Sequence, residues 1–140
     1  MTAIPVQAPS DAALRAALDA ALPEATMVWL HGSAVRGPMR TDSDVDLAVW
    51  LPHPPSPERW LQVTAELSQR LGRNVDLLDL ARASTVTQFI VLSGARLLRA
   101  RDPKAPWLLW ARVLREWQDL QRQRTAAVHG LLRRMQGCTP

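Results

Sequence analysis

A glycine–serine pair and two closely spaced aspartates are the residues of this 140-residue chain that could do chemistry. Gly32 and Ser33 end a short apolar run, and after ten more residues Asp44 and Asp46 open another such run. Glycine lets a backbone approach a phosphate closely, and the N–H groups of the turn that follows can point at the anion. Residues two apart on a strand share a face, so Asp44 and Asp46 project together. Two carboxylates held so close predict either a divalent cation or one protonated carboxyl, and oxygen ligands favour Mg²⁺ or Mn²⁺.

Asp76 offers a third carboxylate, because it interrupts an otherwise apolar run over residues 74–80 that predicts a strand. Phosphates beside a pair of metal-binding carboxylates predict a site for a nucleoside triphosphate with its Mg²⁺. Two metal ions would clamp an in-line phosphoryl displacement there, while a further carboxylate positions or deprotonates the attacking hydroxyl. Asp76 could also be a carboxylate at the rim. Arg36, one turn beyond Ser33, fits either a phosphate contact or a solvated loop position.

The elements that must position these residues alternate in type, which predicts an α/β fold with a small mixed sheet and helices mainly on one side. Hydrophobic periodicity and capping residues predict helices over 10–22, 56–71 and 85–92, and a long C-terminal helix over 107–135. Short apolar runs predict strands over 26–31, 45–51 and 74–80, with an extended piece over 96–100. We expect one domain over residues 1–140, with a loose tail over 1–9.

The pattern G-S-x10-D-x-D with a later strand aspartate resembles the nucleotidyltransferases of the DNA polymerase beta fold, and more closely the minimal nucleotidyltransferases. The resemblance runs from the first helix through the three aspartates. It continues into a segment similar to I-x-x-x-G-x-x-L, here Ile90, Gly94 and Leu97. Ser43 matches the serine usual before D-x-D, and Arg36 and Gly37 match the family's R-G.

This resemblance implies a specific activity. Minimal nucleotidyltransferases are small prokaryotic antitoxins, usually encoded beside a HEPN-domain ribonuclease toxin, that transfer AMP from ATP to a toxin tyrosine and so silence it. Carried over by position, Gly32 and Ser33 would hold the triphosphate, with Arg36 and Ser43 beside it. Asp44, Asp46 and Asp76 would be the catalytic, metal-binding carboxylates, with two Mg²⁺ ions, or Mn²⁺, and with Asp76 as the base. The resemblance thus implies a cognate HEPN toxin as partner, in a hetero-oligomer.

Charge is divided unevenly along the chain. Residues 1–95 hold seven basic and ten acidic side chains, whereas residues 96–140 hold ten and three, for a formal net charge of +4. The basic part is the long helix, where Trp107, Trp110 and Trp117 lie among arginines that include Arg112 and Arg115. Such residues fit a docking face for an acidic protein surface, or else a buried stripe with a solvated face. Because no aromatic–basic mixture surrounds the nucleotide site, nucleic-acid binding is disfavoured.

Other classes are excluded or kept as alternatives. A single cysteine excludes an internal disulfide framework, and no apolar run is long enough for a membrane span or a secretory signal, so we expect a cytoplasmic protein. An antitoxin that acts mainly by direct binding would need the same partner without the chemistry. A nucleotidyltransferase for a small molecule such as an aminoglycoside would need an enclosing domain, for which 140 residues leave little room.

Overall fold

The computed structural model describes residues 5–6, 8–36, 39–40 and 43–137. Their strands are β1 (Pro5–Val6), β2 (Met27–His31), β3 (Met39–Arg40), β4 (Val45–Trp50), β5 (Val75–Asp79) and β6 (Arg96–Ala100). Their helices are α1 (Asp11–Ala21), α2 (Ser33–Arg36), α3 (Pro57–Leu71), α4 (Thr85–Gly94) and α5 (Ala105–Gly137), with a 3₁₀ turn over Leu80–Arg82. The predicted helices and strands are therefore confirmed, with boundaries shifted by one or two residues at most ends.

The four longer strands form one mixed sheet in the order β5-β4-β2-β6. Strand β4 runs parallel to β5, whereas β2 runs antiparallel to both β4 and β6. The C-terminal end of β2 therefore lies at the same edge of the sheet as the N-terminal ends of β4 and β5. The α/β fold with a small mixed sheet is confirmed.

Helices cover both faces of this sheet, which corrects the expectation that they lie mainly on one side. Helices α1 and α3 pack on one face through Leu14, Leu18, Val63 and Leu67, over the inward residues Val28, Leu30, Val45, Leu47, Val49 and Leu77. Helices α4 and α5 cover part of the other face, where the buried residues are Met27, Trp29, Ala48, Leu80, Leu109 and Val113. Successive side chains of a strand point to opposite faces of the sheet, so each strand contributes to both cores. Because both faces are covered, the central strands β2 and β4 are apolar at nearly every position.

Serines begin three of the helices. The hydroxyls of Ser10, Ser56 and Ser84 accept hydrogen bonds from the backbone N–H groups of Ala13, Arg59 and Thr87, at 3.1, 3.1 and 3.2 Å. Gly72 ends α3 in the left-handed conformation, with φ +63°. These caps satisfy backbone groups that helix ends leave unpaired, and they explain why the sequence located these boundaries so closely.

Two features differ from the predicted layout. Within the tail over 1–9, Pro5–Val6 pairs antiparallel with Met39–Arg40. Two-residue strands have no periodicity, so this pairing leaves no signal in the sequence. The C-terminal helix is also two residues longer at each end than the predicted 107–135. Among the described residues, no helix is both long and apolar enough to cross a bilayer.

Candidate active site

Three site residues stand in a row across the sheet. His31 of β2 pairs with Asp46 of β4, and Asp46 pairs in turn with Asp76 of β5. Neighbouring strands lie about 4.8 Å apart, and residues paired in register share a face. Asp44 lies two residues before Asp46, directly ahead of the strand. The structure thus places all three predicted aspartates at one edge of the sheet, on the face that α4 and α5 leave open there.

Gly32 brings the backbone of the following turn against this row. It adopts φ +73°, and a Cβ atom at this position would overlap the Asp46 carboxylate oxygen Oδ2. Both the left-handed backbone and the space exclude a side chain at position 32. A group held over the Gly32–Ser33 turn therefore meets the Asp46 carboxylate directly.

The turn continues into helix α2, which presents two of the predicted nucleotide-binding residues to solvent. Ser33 and Arg36 are exposed, whereas Ala34 between them is buried. In the part of the chain that the structure describes, neither the Ser33 hydroxyl nor the Arg36 guanidinium has a hydrogen-bond or ion-pair partner. Gly37, predicted from the R-G match, lies outside the described residues.

The segment before β4 is fixed by contacts that the sequence did not reveal. The backbone N–H of Val45 donates to the carbonyl of Asn74 at 2.9 Å. The Arg73 guanidinium donates to the Ser43 carbonyl at 3.4 Å. These bonds hold Ser43 and Asp44 beside the start of β5. Arg73 carried no sequence signal because the contact depends on which strands are neighbours.

The electrostatics of the row favour a bound cation. Burial raises the pKa of Asp46, and the charges of Asp76 and Asp44 raise it further, while His31 opposes both effects. Burial also lowers the pKa of His31, against the attraction of Asp46 and Asp76, and its Nε2 atom is buried without a hydrogen-bond partner. Within the described ranges, none of the three aspartates forms a salt bridge. Their negative charge is left for a ligand to neutralise.

The carboxylate oxygens of the site fit a Mg²⁺ ion that is held partly by the protein and partly by substrate phosphates. Carboxylate oxygens are its preferred ligands, but within the described residues no three His, Cys, Asp or Glu side chains are grouped so as to hold a metal ion. The protein thus lacks a preformed three-ligand metal group there. Mg²⁺ is commonly held by one or two carboxylates together with substrate phosphates, and Asp44 and Asp46 beside the Gly32 turn suit that mode. The role of Asp76 as a metal ligand stays a prediction.

The aromatic residues of α5 have different roles from one another. Phe89 of α4 stacks on Trp117 with ring centroids 4.0 Å apart, and on Trp110 at 5.8 Å. Trp107 instead is 76% exposed and borders an apolar groove of about 410 Å³ between α4, β6 and α5. The Arg112 guanidinium donates to Glu116 of its own helix at 3.1 Å. Two of the three predicted interface tryptophans thus contribute to packing within the chain.

Comparison with known proteins identifies the class. Residues 17–104, more than half of the chain, match the family described as Polymerase beta, Nucleotidyltransferase. The chain belongs to this family and is a nucleotidyltransferase, so the fold and family predicted from the spacing of Gly32, Asp44 and Asp46 are confirmed.

The chain is similar to an adenylyltransferase and to chains of solved toxin–antitoxin complexes. The chain is 29% identical over 113 residues to the protein adenylyltransferase MntA of Shewanella oneidensis, and the match covers 79% of each protein. It shares its fold with a solved toxin–antitoxin structure containing AMP-PNP, at a TM-score of 0.74 and 24% identity over 89% of this chain and 99% of the other. It also matches one chain of a solved complex between the tri-AMPylated Shewanella oneidensis HEPN toxin and an MNT antitoxin. The TM-score is 0.68, with 23% identity over 87% of this chain and 95% of the other.

Proposed function

We propose that this nucleotidyltransferase is an antitoxin that transfers AMP from ATP to a tyrosine hydroxyl of a cognate HEPN ribonuclease toxin and thereby neutralises it. One observation carries the proposal: the Gly32 turn lies against Asp46, whose neighbour in register is Asp76. Phosphate-binding backbone and carboxylates are thus within reach of one triphosphate. The likeness to MntA over most of both chains supports the choice of donor and acceptor. The use of ATP is consistent with a cytoplasmic location, where we expect the protein to act.

The triphosphate is assigned to the turn and the short helix after it. The backbone of Gly32 can approach the phosphates because no side chain intervenes, and the exposed hydroxyl of Ser33 can donate to them. Arg36 offers an exposed positive charge one turn away, and Ser43 borders the site through the contact of its carbonyl with Arg73. These residues orient the α-phosphate toward Asp46.

Asp44 and Asp46 are assigned as ligands of Mg²⁺. We expect two such ions, and Mn²⁺ could replace Mg²⁺. Bound there, the metal supplies charge neutralisation for the phosphate oxygens. The raised pKa of Asp46 fits this assignment, because a carboxylate that is partly buried and also crowded by Asp76 and Asp44 is stabilised by a bound cation.

Asp76 is assigned as the base for the acceptor. The phenolic oxygen forms a bond to the α-phosphorus while the bond from that phosphorus to the α,β-bridging oxygen breaks. Pyrophosphate leaves, and the phenolic proton passes to the Asp76 carboxylate. Asp76 suits this role because its side chain is exposed, so an incoming tyrosine can reach it.

The partner is proposed to form a hetero-oligomer with this chain. The chain contains no tyrosine, so an acceptor tyrosine has to come from another protein. A solved relative is a HEPN toxin bound to its MNT antitoxin, which supports the same pairing here. Neutralisation by binding alone is a second candidate, favoured by the large exposed part of α5.

The test is transfer of label to the toxin. Incubation with Mg²⁺, ATP labelled at the α-phosphate and a purified cognate HEPN toxin should label the toxin. Asp44→Asn combined with Asp46→Asn should abolish labelling, whereas Asp79→Asn, an aspartate of β5 that pairs with Arg82, should leave it intact. Undiminished labelling by the double variant would contradict a mechanism that depends on Asp44 and Asp46. Toxicity rescue by that double variant would instead favour neutralisation by binding.

A further inference from the structure

Helix α5 extends well beyond the two cores of the domain. Its 33 residues span about 50 Å, yet only Leu109 and Val113 are buried. From residue 118 to residue 137 every position is exposed except Gln121 and Gly130, which are half-buried. This stretch of about 30 Å is covered by none of the described elements.

The exposed half carries an apolar stripe, defined here as Leu120, Val128, Leu131 and Met135. These side chains are 39, 53, 52 and 62% exposed, and the spacings of eight, three and four residues place them on one face of the helix. The stripe continues the line of Leu109 and Val113, which are buried in the domain core. The same helix face therefore packs inside the domain at one end and lacks a partner, among the described residues, at the other.

Two arginines lie on the stripe's side of the helix: Arg124, four residues from both Leu120 and Val128, lies within the stripe, and Arg134, three residues after Leu131, borders it. Residues 120–137 contain Arg122, Arg124, Arg133 and Arg134 and no acidic residue. Arg122 pairs with Asp119. The other three are exposed and make no ion pair with any described residue. An occupant of the stripe must therefore bury apolar surface and supply negative charge.

We propose that the stripe binds an amphipathic helix of the toxin whose apolar face is flanked by acidic residues. That the partner is the toxin rests on the proposed function. An apolar helix face bordered by charge is the usual way in which one helix recognises another. A second copy of this chain would set arginine against arginine. An anionic membrane is disfavoured because the stripe has no Trp or Phe to insert, and RNA because it has no aromatic ring to stack on bases. This surface lies further along α5 than the predicted tryptophan face.

Binding to the purified HEPN toxin by titration calorimetry tests the surface. Leu131→Asp and Val128→Asp should each weaken binding about tenfold or more, because each buries a charge in an apolar contact. Ala126→Asp introduces the same charge on the opposite side of the helix and should change affinity less than about twofold. The double variant Arg124→Glu with Arg134→Glu should weaken binding most at low salt. Exposed positions tolerate these changes, and the helical circular dichroism should stay unchanged.

The outcome is separable from the proposed reaction. Stripe variants should raise the KM for toxin in the labelling assay while leaving kcat unchanged, whereas Asp44→Asn with Asp46→Asn should keep full affinity. Stripe-dependent binding without labelling would overturn the reaction and leave the surface standing. Labelling with unaltered affinity in Leu131→Asp and Val128→Asp would overturn the surface. So would stripe-dependent dimerisation, or stripe-dependent binding to phosphatidylserine vesicles or single-stranded RNA with none to the toxin.

Discussion

The backbone of Gly32 lies directly against the Asp46 carboxylate, and this contact leaves no room for a side chain at position 32. The turn proposed to bind phosphate and the strand that carries the carboxylate are thereby held at a fixed separation. Because φ is +73°, the position also requires a residue that tolerates the left-handed conformation. Position 32 therefore requires glycine both for its backbone conformation and for the space beside the Asp46 carboxylate.

Gly32→Ala should therefore remove AMP transfer and also destabilise the fold. The left-handed backbone alone costs about 1–2 kcal/mol for a residue with a Cβ, and displacement of Asp46 adds to this. Chemical denaturation and the labelling assay together measure both losses. Gly72→Ala is the matched control, because Gly72 has φ +63° with nothing within 4 Å of a Cβ. It should show the backbone cost with full transfer activity. Equal activity in the two variants would contradict the proposed role of the contact.

Asp46→Asn should stabilise the metal-free protein at pH 7 while abolishing transfer. Because burial raises the pKa of Asp46, the folded chain retains this proton to a higher pH than the unfolded chain does. Stability is therefore lost as pH rises through the ordinary carboxyl range into the raised one, and the neutral amide escapes this loss. Burial lowers the pKa of His31, which limits how far the charge of that ring opposes the rise in the pKa of Asp46.

Urea denaturation at several pH values measures this difference between wild type and Asp46→Asn. The gain should be greatest near neutrality and should vanish below about pH 3, where the carboxyl is protonated in both states. Asp79→Asn should instead lower stability at pH 7, because the variant loses the ion pair with Arg82. A variant Asp46→Asn that is less stable than wild type at pH 7 would refute the assigned desolvation.

The sequence predicts the parts of the site that depend on local order. The two-residue alternation places Asp44 and Asp46 on one face, and the apolar run around Asp76 predicts its strand. The pairing of His31 with Asp46 follows from the antiparallel register of β2 and β4, which no local pattern encodes. The sequence assigned His31 to strand packing; its position in the charged row appears only when the sheet is assembled.

The helices show the same division. Ser10 and Ser56 mark their helix starts because capping is a local interaction. The stacking of Phe89 on Trp110 and Trp117 joins α4 to α5, and a stripe of aromatics in the sequence does not distinguish such packing from an interface. Coverage of both sheet faces likewise depends on where each helix crosses, which is a property of the whole chain.

Arg99 should be a strong determinant of stability. Its side chain is only 18% exposed, and its guanidinium donates to the carbonyls of Leu22 and Ala25, at 2.9 and 2.8 Å, and to the Asp19 carboxylate. It thus joins the edge strand β6 to the end of α1. Arg99→Ala should cost about 2–4 kcal/mol in the free energy of unfolding, because it leaves partly buried carbonyls unpaired.

Arg70→Ala is the control for Arg99→Ala. Arg70 forms an exposed ion pair with Glu66 one turn away, and its loss should cost less than about 0.5 kcal/mol. Thermal or urea denaturation ranks the two variants. Similar losses for both would show that the carbonyl contacts of Arg99 add nothing beyond a surface charge.

Mg²⁺ and nucleotide should stabilise the protein together far more than either does alone. The described residues contain no preformed three-ligand metal group, so the two carboxylates Asp44 and Asp46 need phosphate oxygens to complete the coordination of the ion. A ligand that binds only the folded state at about 100 times its Kd adds about 2.7 kcal/mol to stability, and the joint complex should approach this value. Thermal shifts measured with Mg²⁺ alone, with a non-hydrolysable ATP analogue alone and with the two together give the coupling.

Variants test which residues supply it. Asp44→Asn should remove the joint shift, and Asp102→Asn, in an exposed turn remote from the row, should retain it. A full shift with Mg²⁺ alone would instead mean that the protein supplies a complete metal site, in which case Asp76 or a residue outside the described ranges must provide the missing ligand.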